Sequence, residues 1–554
     1  MQRSRRTTTA ALLLLLASCG GDGEAMTDAS ATGSGSTAGT ASSTDASSSS
    51  AGSDPSTTDA TTTTATSEPT SATDVATDPT GATETTETGP TTDPSGTDPT
   101  DETETTGDPI DPIDFPPRIH PDDPHRLLRG DTPWYPAAYY PGAAVNMTGA
   151  DYQGDVVAYG LDWFEQVEAS GIDLFRVWFN WGNVGDQSPD LQDNWDSFIV
   201  HPYLRPGPGM AADGGPRFDL DQWNPEYFDL LVKWIDYARS RGVVIQVMLL
   251  DCWHVGFGLN WGFGELDYLR GPNNVNGVDW ADEGQWLDIN GPAFARNVAF
   301  VEEVVATIGD RPNIIWETCN EKRQGDHSTP AASAADVFHK TVAAAIHAQE
   351  DALGYPRHLV MPVDLPEHRT VAGHTTPTQN GQGQESIPDM HARLAGEQFA
   401  WGVPLISDND CCAGEPDADF IRRKTWAALA AGAHVDVFNG EAYKQGVLAN
   451  QNTADGMRFV GNTRRFFEMT GADLIGMVPS DGLVDGPAWV YARPGDEYLI
   501  YVHQNAPVTV SQLPASYSAT WFDPRQATVE DAGPGPTFTP PPDGQDWVLH
   551  VRAR

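Results

Sequence analysis

The stretch NIIWETCNE at residues 313–321 decides which fold we predict for this chain. Its apolar run, Ile314 to Trp316, is typical of a buried strand, and it gives way abruptly to the polar pair Asn320 and Glu321. A buried carboxylate is costly in free energy unless it has a partner or a chemical task. We therefore interpret the stretch as a core strand whose last residues project into a functional site.

The residues around this strand repeat a strand-then-helix order. Residues 300–308 have helical periodicity and reach the strand through a short turn that ends at Pro312. The other predicted strands lie at 134–140, 172–180, 243–250, 358–363, a weak segment ending near 391, 403–407 and 434–438. Apolar strands alternating with helices predict an α/β fold with a parallel sheet, a (β/α)₈ TIM barrel. No Gly-x-Gly-x-x-Gly follows the first strand, which disfavours the alternative of a doubly wound open sheet.

The pattern changes near residue 477, where short strands are separated by Gly, Pro and Asp turns. Such a pattern predicts a small all-β sandwich. The runs at 521–525 (WFDPR) and 546–549 (DWVL) are similar to a C-terminal domain of bacterial glycosidases that is named for collagen binding. We expect this domain to be a structural cap packed on the barrel.

The N-terminus combines a positive region, Arg3 to Arg6, with an apolar run at 10–17 that is too short to span a bilayer. Residues 16–19 (LASC) then resemble a bacterial lipobox, in which Cys19 would be lipidated. An ordinary signal peptide with an incidental cysteine is the alternative. Because Gly20 rather than Asp follows, the resemblance implies an outer-membrane lipoprotein of the bacterial cell envelope, periplasmic or surface-exposed.

Four segments are therefore predicted. Residues 1–18 are a signal peptide, 19–110 a disordered tether, 111–476 the barrel and 477–554 the sandwich. The tether is rich in Ser, Thr, Asp and Pro and holds almost no large apolar residues, so it cannot bury enough surface to offset the entropy of ordering. The net charge of −46 argues against nucleic acid or anionic lipid as a partner and is compatible with a neutral or cationic substrate.

The Asn-Glu pair at the end of the fourth strand resembles the signature of the retaining glycoside hydrolases of clan A. The resemblance implies that Glu321 is the acid/base and that Asn320 binds a sugar hydroxyl. Arg176, at the end of the second strand, resembles the arginine that keeps the nucleophile of that clan ionised, as a nearby guanidinium does. A structural ion pair is the alternative for Glu321 and for Arg176.

Glycoside hydrolysis needs a second carboxylate, and here the sequence departs from the clan. The clan has Glu at the end of strand seven, whereas residues 404–412 read PLISDNDCC. Asp408 and Asp410 are both candidates, and the sequence does not choose between them. Glu415 lies further along the loop, and Glu441 follows strand eight. Retaining and inverting chemistry both stay open.

Further residues at predicted strand ends are candidates for sugar binding. Aromatic rings stack on the apolar faces of sugars, and His can bind sugar hydroxyls or orient carboxylates. The candidates are Trp178, Asn180, Trp253, His254, His391 and Glu441. Five loop tryptophans, Trp181, Trp253, Trp261, Trp280 and Trp286, favour a cleft.

The cysteines other than Cys19 fall near the ends of strands three, four and seven. Cys252 and Cys319 could bridge adjacent strands, whereas Cys411 with Cys412 would form a strained vicinal disulfide. A metal site that includes His254 fits no zinc spacing, so we expect neither metal nor cofactor.

The sequence thus predicts an exported, lipid-anchored enzyme that hydrolyses O-glycosyl compounds. Its partner would be a polysaccharide or oligosaccharide, with membrane contact through the N-terminal lipid alone, no nucleic acid, and a monomeric state. The alternative is a non-catalytic carbohydrate-binding or adhesion lipoprotein on a degenerate barrel. A peptidase is disfavoured because the chain has neither His-Glu-x-x-His nor Gly-x-Ser-x-Gly.

Overall fold

A computed structural model describes a defined part of the 554-residue chain. The described residues are 113–142, 169–178, 200–252, 255, 263–319, 330–361, 373–375, 386–409, 417–438 and 451–554. The predicted signal peptide, Cys19 and the tether lie outside these residues.

The described chain begins with a small antiparallel sheet. Its strands, in the order β1-β2-β3, are β1 (Arg118–His120), β2 (Asp123–Arg129) and β3 (Thr132–Trp134). Trp134 was predicted to open the first barrel strand, but it ends β3 instead. Pro136, which has no N–H to donate to a ladder, separates it from the next strand.

Eight further strands form one parallel sheet. They are β4 (Ala138–Gly142), β5 (Leu174–Trp178), β6 (Val244–Met248), β7 (Ile314–Glu317), β8 (Val360–Met361), β9 (Gly373–Thr375), β10 (Leu405–Asn409) and β11 (His434–Phe438). Their order is β8-β7-β6-β5-β4-β11-β10-β9. The last strand, β11, pairs in parallel with the first, β4. Such a return of the sheet to its start fits the predicted (β/α)₈ barrel and does not fit an open doubly wound sheet.

Helices occupy connections between these strands, and one further helix follows β11. They are α1 (Pro225–Ser240), α2 (Glu283–Leu287), α3 (Pro292–Ile308), α4 (Pro330–Leu353), α5 (Ile387–Arg393), α6 (Ala418–Ala430) and α7 (Gln451–Thr470). Helix α1 shows why they form. The Asn224 side chain accepts a hydrogen bond from the Glu226 N–H, Pro225 occupies the first turn, and Leu231 and Trp234 lie on the buried face. No helix in the described part of the chain is long and apolar enough to cross a bilayer.

The prediction of a sixth strand ending near His391 is wrong. That segment is helix α5, and the sixth strand is the three-residue β9. The Ser386 side chain caps α5 by accepting a hydrogen bond from the Asp389 N–H at 3.3 Å. The Ser-x-x-Asp spacing is a helix-start signal that the strand prediction overlooked.

The C-terminal strands are antiparallel and form two sheets. Their bounds are β12 (Val478–Pro479), β13 (Val484–Asp485), β14 (Ala488–Arg493), β15 (Glu497–Val502), β16 (Val508–Val510), β17 (Tyr517–Asp523), β18 (Thr528–Asp531), β19 (Thr537–Phe538) and β20 (Trp547–Ala553). The sheet orders are β12-β14-β15-β20-β17-β18 and β13-β16-β19. Ile500 and Trp521 of the first sheet share a core with Val508 and Phe538 of the second. These antiparallel sheets support the predicted all-β domain, while its boundary at residue 477 stays a prediction.

The antiparallel sheets pack on barrel helices through an apolar cluster. Trp426 of α6 and Phe466 of α7 contact Phe522 of β17 with ring centroids 5.7 and 5.3 Å apart, respectively. A buried ion pair crosses the same contact, with Arg422 Nη2 2.6 Å from Asp546 Oδ1. The C-terminal sheets thus pack directly on barrel helices, and their role as a structural cap stays a prediction.

Candidate active site

Side chains inside the barrel form an apolar layer below a polar one. The apolar layer comes from the first part of the strands and includes Ala138, Leu174, Val244, Ile315, Met361 and Ile406. Two residues further along their strands lie Arg176, Gln246 and Glu317, all fully buried. Successive strand residues alternate between the two faces of a sheet, so both layers point to the same interior.

Glu317 is the centre of the polar layer. Arg176 donates to its two carboxylate oxygens, from Nε at 2.8 Å and from Nη2 at 2.6 Å. Gln246 Nε2 donates to Oε2 at 2.7 Å. Arg176 Nη1 also lies 3.5 Å from Asp436 Oδ2 on β11. A bidentate charge-assisted pair with a further donor is the arrangement that makes a buried carboxylate tolerable.

The prediction for Arg176 concerned a nucleophile on strand seven. The structure pairs it with Glu317 and Asp436, two carboxylates that are not among the predicted site residues. Glu317 ends the fourth barrel strand directly after the apolar run Ile314 to Trp316, and a charged residue at that place is the sequence signal that identifies it. A contact between Arg176 and the second catalytic carboxylate stays a prediction.

The outer face of β7 is fixed to helix α4. Trp316 Nε1 donates to Glu350 Oε1 at 2.8 Å, and Thr318 Oγ1 is hydrogen-bonded to His339 Nδ1 at 2.6 Å. Burial alone would raise the pKa of Glu350, but hydrogen bonds from His347, His358 and Trp316 outweigh it and lower that pKa to about 2. Glu350 is therefore an ionised anchor behind the strand.

A disulfide joins the chain after β7 to the chain after β6. Cys319 and Cys252 are bonded, with their Cα atoms 5.7 Å apart. This bond is one of the pairings that the sequence left open. Cys411 and Cys412 lie outside the described residues.

Several candidate site residues are placed only in part or not at all. Trp178 is the last residue of β5, and Asp408 lies in β10 in register with Asp436 of β11. The other candidates that lie outside the described residues are Asn180, Trp253, His254, Asn320, Glu321, Asp410 and Glu441. The described residues end at Cys319 before one gap, two residues before Glu321. They end at Asn409 before another gap, one residue before Asp410.

His391 is not at a strand end, because it belongs to α5. Its Nδ1 is 2.9 Å from the Ala427 carbonyl oxygen and its Nε2 is 3.0 Å from Asp481 Oδ2. Its ring stacks on Trp489 of β14 with centroids 4.7 Å apart. The residue thus contributes to the contact between α6 and the C-terminal sheets, and the predicted position at the end of a strand is wrong.

Two of the five loop tryptophans pack into the core instead of lining a cleft. Trp280 is 1% exposed and donates from Nε1 to Asp267 at 3.2 Å. Trp286 is equally buried and stacks on Phe338 of α4, with centroids 5.2 Å apart. Both rings are buried among described residues that precede α3, so the cleft prediction is wrong for them.

No cluster of three or more His, Cys, Asp or Glu residues in the described part of the chain has the arrangement of a metal site. The chemistry that the described residues point to is that of buried, charge-paired carboxylates.

Comparison with known proteins gives similarity of structure only. No protein-family model matches the chain, and no curated protein matches its sequence. A candidate glycoside hydrolase from Bacteroides vulgatus matches with a TM-score of 0.55 and 14% identity over 79% of this chain and 82% of that chain. A second structure, described as a glycoside hydrolase, matches with a TM-score of 0.50 and 14% identity over 79% of this chain and 97% of that chain. At this identity the finding is one of fold: the chain shares its fold with glycoside hydrolases.

Proposed function

We propose that the protein is a glycoside hydrolase that cleaves O-glycosidic bonds of an extracellular polysaccharide or glycoconjugate. The observation that carries the proposal is the anchoring of β7, the strand that leads into Asn320 and Glu321. Its Glu317 is locked to Arg176 by two hydrogen bonds of 2.8 and 2.6 Å inside the barrel. Residues beyond the carboxyl ends of barrel strands are where TIM-barrel enzymes carry their catalytic groups.

In the proposed mechanism Glu321 begins protonated and donates its proton to the glycosidic oxygen as the bond to the anomeric carbon breaks. The second carboxylate, Asp408 or Asp410, either attacks the anomeric carbon or removes a proton from the attacking water. In the first case Glu321 then acts as base for the water that releases the sugar. Such proton transfer by a positioned carboxyl group contributes a factor of about 10² to 10⁴ to the rate.

A second candidate function is a carbohydrate-binding or adhesion protein without catalysis. The specific observation in its favour is that strand seven carries Asp408 and Asp410 where the clan A resemblance implies Glu. An aspartate reaches one methylene less far, and a barrel whose second carboxylate cannot reach the anomeric carbon would still bind sugar.

The test is hydrolysis by the purified protein of aryl glycosides and of plant, algal and bacterial polysaccharides. Glu321→Gln should abolish sugar release. Glu302→Gln, the same chemical change at an exposed position of α3, is the matched control and should not. The anomeric form of the first product, followed by NMR, would distinguish a nucleophile from a base at strand seven. Binding without turnover that survives Glu321→Gln would favour the adhesion protein.

A further inference from the structure

Hydrogen bonds, an ion pair and a disulfide fix the three residues that precede Asn320 and Glu321. Towards the barrel interior, Glu317 is bonded to Arg176 and Gln246. Towards the outside, Thr318 is bonded to His339 of α4 at 2.6 Å. The next residue, Cys319, forms the disulfide. Three successive residues are therefore fixed to four different partners immediately before the proposed acid/base.

The disulfide extends the connection between β6 and β7 beyond the sheet. Met248 and Glu317 are register partners, and the Leu249 N–H donates to the Glu317 carbonyl at 3.0 Å. The disulfide joins Cys252, three residues after Leu249, to Cys319, two residues after Glu317. The residues that follow the two cysteines are candidates for the site, Trp253 and His254 on one chain and Asn320 and Glu321 on the other.

We propose that the Cys252–Cys319 disulfide is a positioning cross-link for the reaction: it holds the chain ends after β6 and β7 together, and Glu321 follows two residues after Cys319. The inference rests on the proposed function and adds two positioning residues to it. Neither cysteine touches substrate, and both act through the chain that follows them.

The physical reason is the tight packing around the bond. Cys252 and Cys319 are 1% and 0% exposed. Two thiols need more room than a bonded pair of sulfur atoms, and a close-packed interior offers little, so cleavage must displace at least one chain end. A general acid works only within hydrogen-bond reach of the oxygen it protonates. A displacement of about 1 Å in such a group lowers the rate by about 10²-fold.

Reduction by a water-soluble phosphine gives a clean way to break the link. The phosphine supplies two electrons and becomes a phosphine oxide with the oxygen of one water molecule, while the two protons of that water end on the two thiols. The reductant leaves every other side chain around β7 unchanged. The Cys252→Ser/Cys319→Ser variant removes the bond independently of any reductant.

The experiment measures kcat/KM of the full-length protein, before and after reduction, on a phenyl glycoside and a 2,4-dinitrophenyl glycoside of the sugar it hydrolyses. A phenolate is a poor leaving group and needs the proton from Glu321, whereas dinitrophenolate leaves without one. We expect reduction to lower kcat/KM at least tenfold on the phenyl glycoside and much less on the dinitrophenyl glycoside. Amide hydrogen exchange should rise in peptides around 250–256 and 318–325 and stay unchanged in the C-terminal strands β15 and β20.

Two variants separate this disulfide from the other cysteines. Cys252→Ser/Cys319→Ser should show the same leaving-group-dependent loss without reductant and no further loss with it. Cys411→Ser/Cys412→Ser keeps the cross-link, so it should still lose activity on reduction. If the first variant fails to fold, reduction of the folded protein, checked by circular dichroism at 25 °C, carries the test.

The outcomes are distinct. Equal losses on both glycosides, with faster exchange throughout the molecule, would overturn the positioning role, since the bond would then only stabilise the fold. Unchanged activity in protein whose Cys252–Cys319 bond is shown by thiol titration to be reduced would overturn the positioning role while the proposed function stands. Absence of hydrolysis in the oxidised protein would overturn the proposed function itself, and the catalytic role of the cross-link with it.

Discussion

Arg176 and Glu317 form a bidentate ion pair in the interior of the barrel, with both side chains fully buried and nitrogen–oxygen distances of 2.8 and 2.6 Å. The pair joins the second barrel strand to the fourth across Gln246 of the third, which donates to the same carboxylate. It therefore fixes the relative positions of three strands just below the site proposed for catalysis.

Removal of one member of this pair should destabilise the protein more than removal of both. Arg176→Met leaves the Glu317 carboxylate buried without its main partner, and such a loss is about 3–5 kcal/mol in unfolding free energy. Arg176→Met/Glu317→Leu should recover part of that loss, because it removes the unpaired charge on β7 although Asp436 of β11 still loses its arginine. Urea unfolding of the two single variants and the double variant measures the coupling.

The matched control is the ion pair between Arg118 and Asp131, whose atoms lie 2.8 Å apart but whose side chains are 48% and fully exposed. Arg118→Met should change the unfolding free energy by less than about 1 kcal/mol, since water screens exposed pairs. A similar small change for Arg176→Met would contradict the role assigned to the buried pair.

The parts of the fold that the sequence predicted well are those with continuous apolar runs. The predicted bounds 434–438 match β11, and the predicted strand at 243–250 contains β6. Strands buried on both faces show an apolar run of their own, so they can be recognised without their neighbours. The three-residue β9 contains Gly373 and His374 and has no such run, and this is why helix α5 was mistaken for it.

The sequence could predict single residues of the site but not the contacts between them. Asn320 and Glu321 stand out because a polar pair follows an apolar strand. The pairing of Arg176 with Glu317 depends on two strands 141 positions apart in sequence, and no local pattern encodes that distance. The burial of Trp280 likewise depends on Asp267 accepting its N–H, which composition alone does not show.

The contact between barrel and C-terminal sheets should depend on Asp546. This carboxylate accepts from Arg422 of α6 at 2.6 Å and from the Tyr501 hydroxyl at 3.0 Å, and it is nearly fully buried. Asp546→Ala leaves a buried guanidinium short of its main partner, so the unfolding free energy should fall by about 3 kcal/mol or more. Thermal unfolding followed by calorimetry measures the change.

An exposed pair in the same domain is the control for this variant. Asp496 lies 2.9 Å from Arg493, and its side chain is 55% exposed. Asp496→Ala should lower the unfolding free energy by less than about 1 kcal/mol. If Asp546→Ala behaved like Asp496→Ala, the ion pair with Arg422 would not hold the C-terminal sheets on the barrel.

His434 should make the fold sensitive to mild acid. Burial, reinforced by the positive charge of Arg126, lowers the pKa of His434 to about 3. Between pH 6.5 and about 3 the unfolded chain binds a proton at this residue that the folded chain excludes, so stability is present above pH 6.5 and falls as the pH falls. The slope contributed by this one group is up to about 1.4 kcal/mol per pH unit.

His434→Gln should remove that contribution and flatten the pH dependence of the unfolding free energy between pH 6 and 4. His120→Gln makes the same change at a partly exposed position of β1 and serves as the matched control. Urea unfolding at half-unit intervals of pH measures both curves. Equal flattening in the two variants would show that the acid sensitivity does not arise from burial of His434.

The proposed lipid anchor makes a prediction of its own. Expressed in a Gram-negative host, the full-length chain should incorporate labelled palmitate and enter the membrane fraction, because a lipobox cysteine is diacylated before it becomes the N-terminus. Cys19→Ala should abolish both, whereas Cys412→Ala should abolish neither. Protein that incorporates no palmitate but is still cleaved near residue 18 would favour an ordinary signal peptide.

Glu350 should stabilise β7 from behind, and its contribution should disappear in acid. Hydrogen bonds from His347, His358 and Trp316 outweigh burial and lower its pKa from 4.5 to about 2, so the stabilisation is complete above pH 4.5 and is lost as the pH falls towards 2. The shift corresponds to about 3 kcal/mol. Glu350→Gln should lose that amount at pH 7 in urea unfolding, and its difference from the native protein should narrow steadily from pH 5 to pH 3. Glu302→Gln on the exposed face of α3 should track the native curve, and a Glu350→Gln deficit independent of pH would mean that shape, not charge, holds the strand.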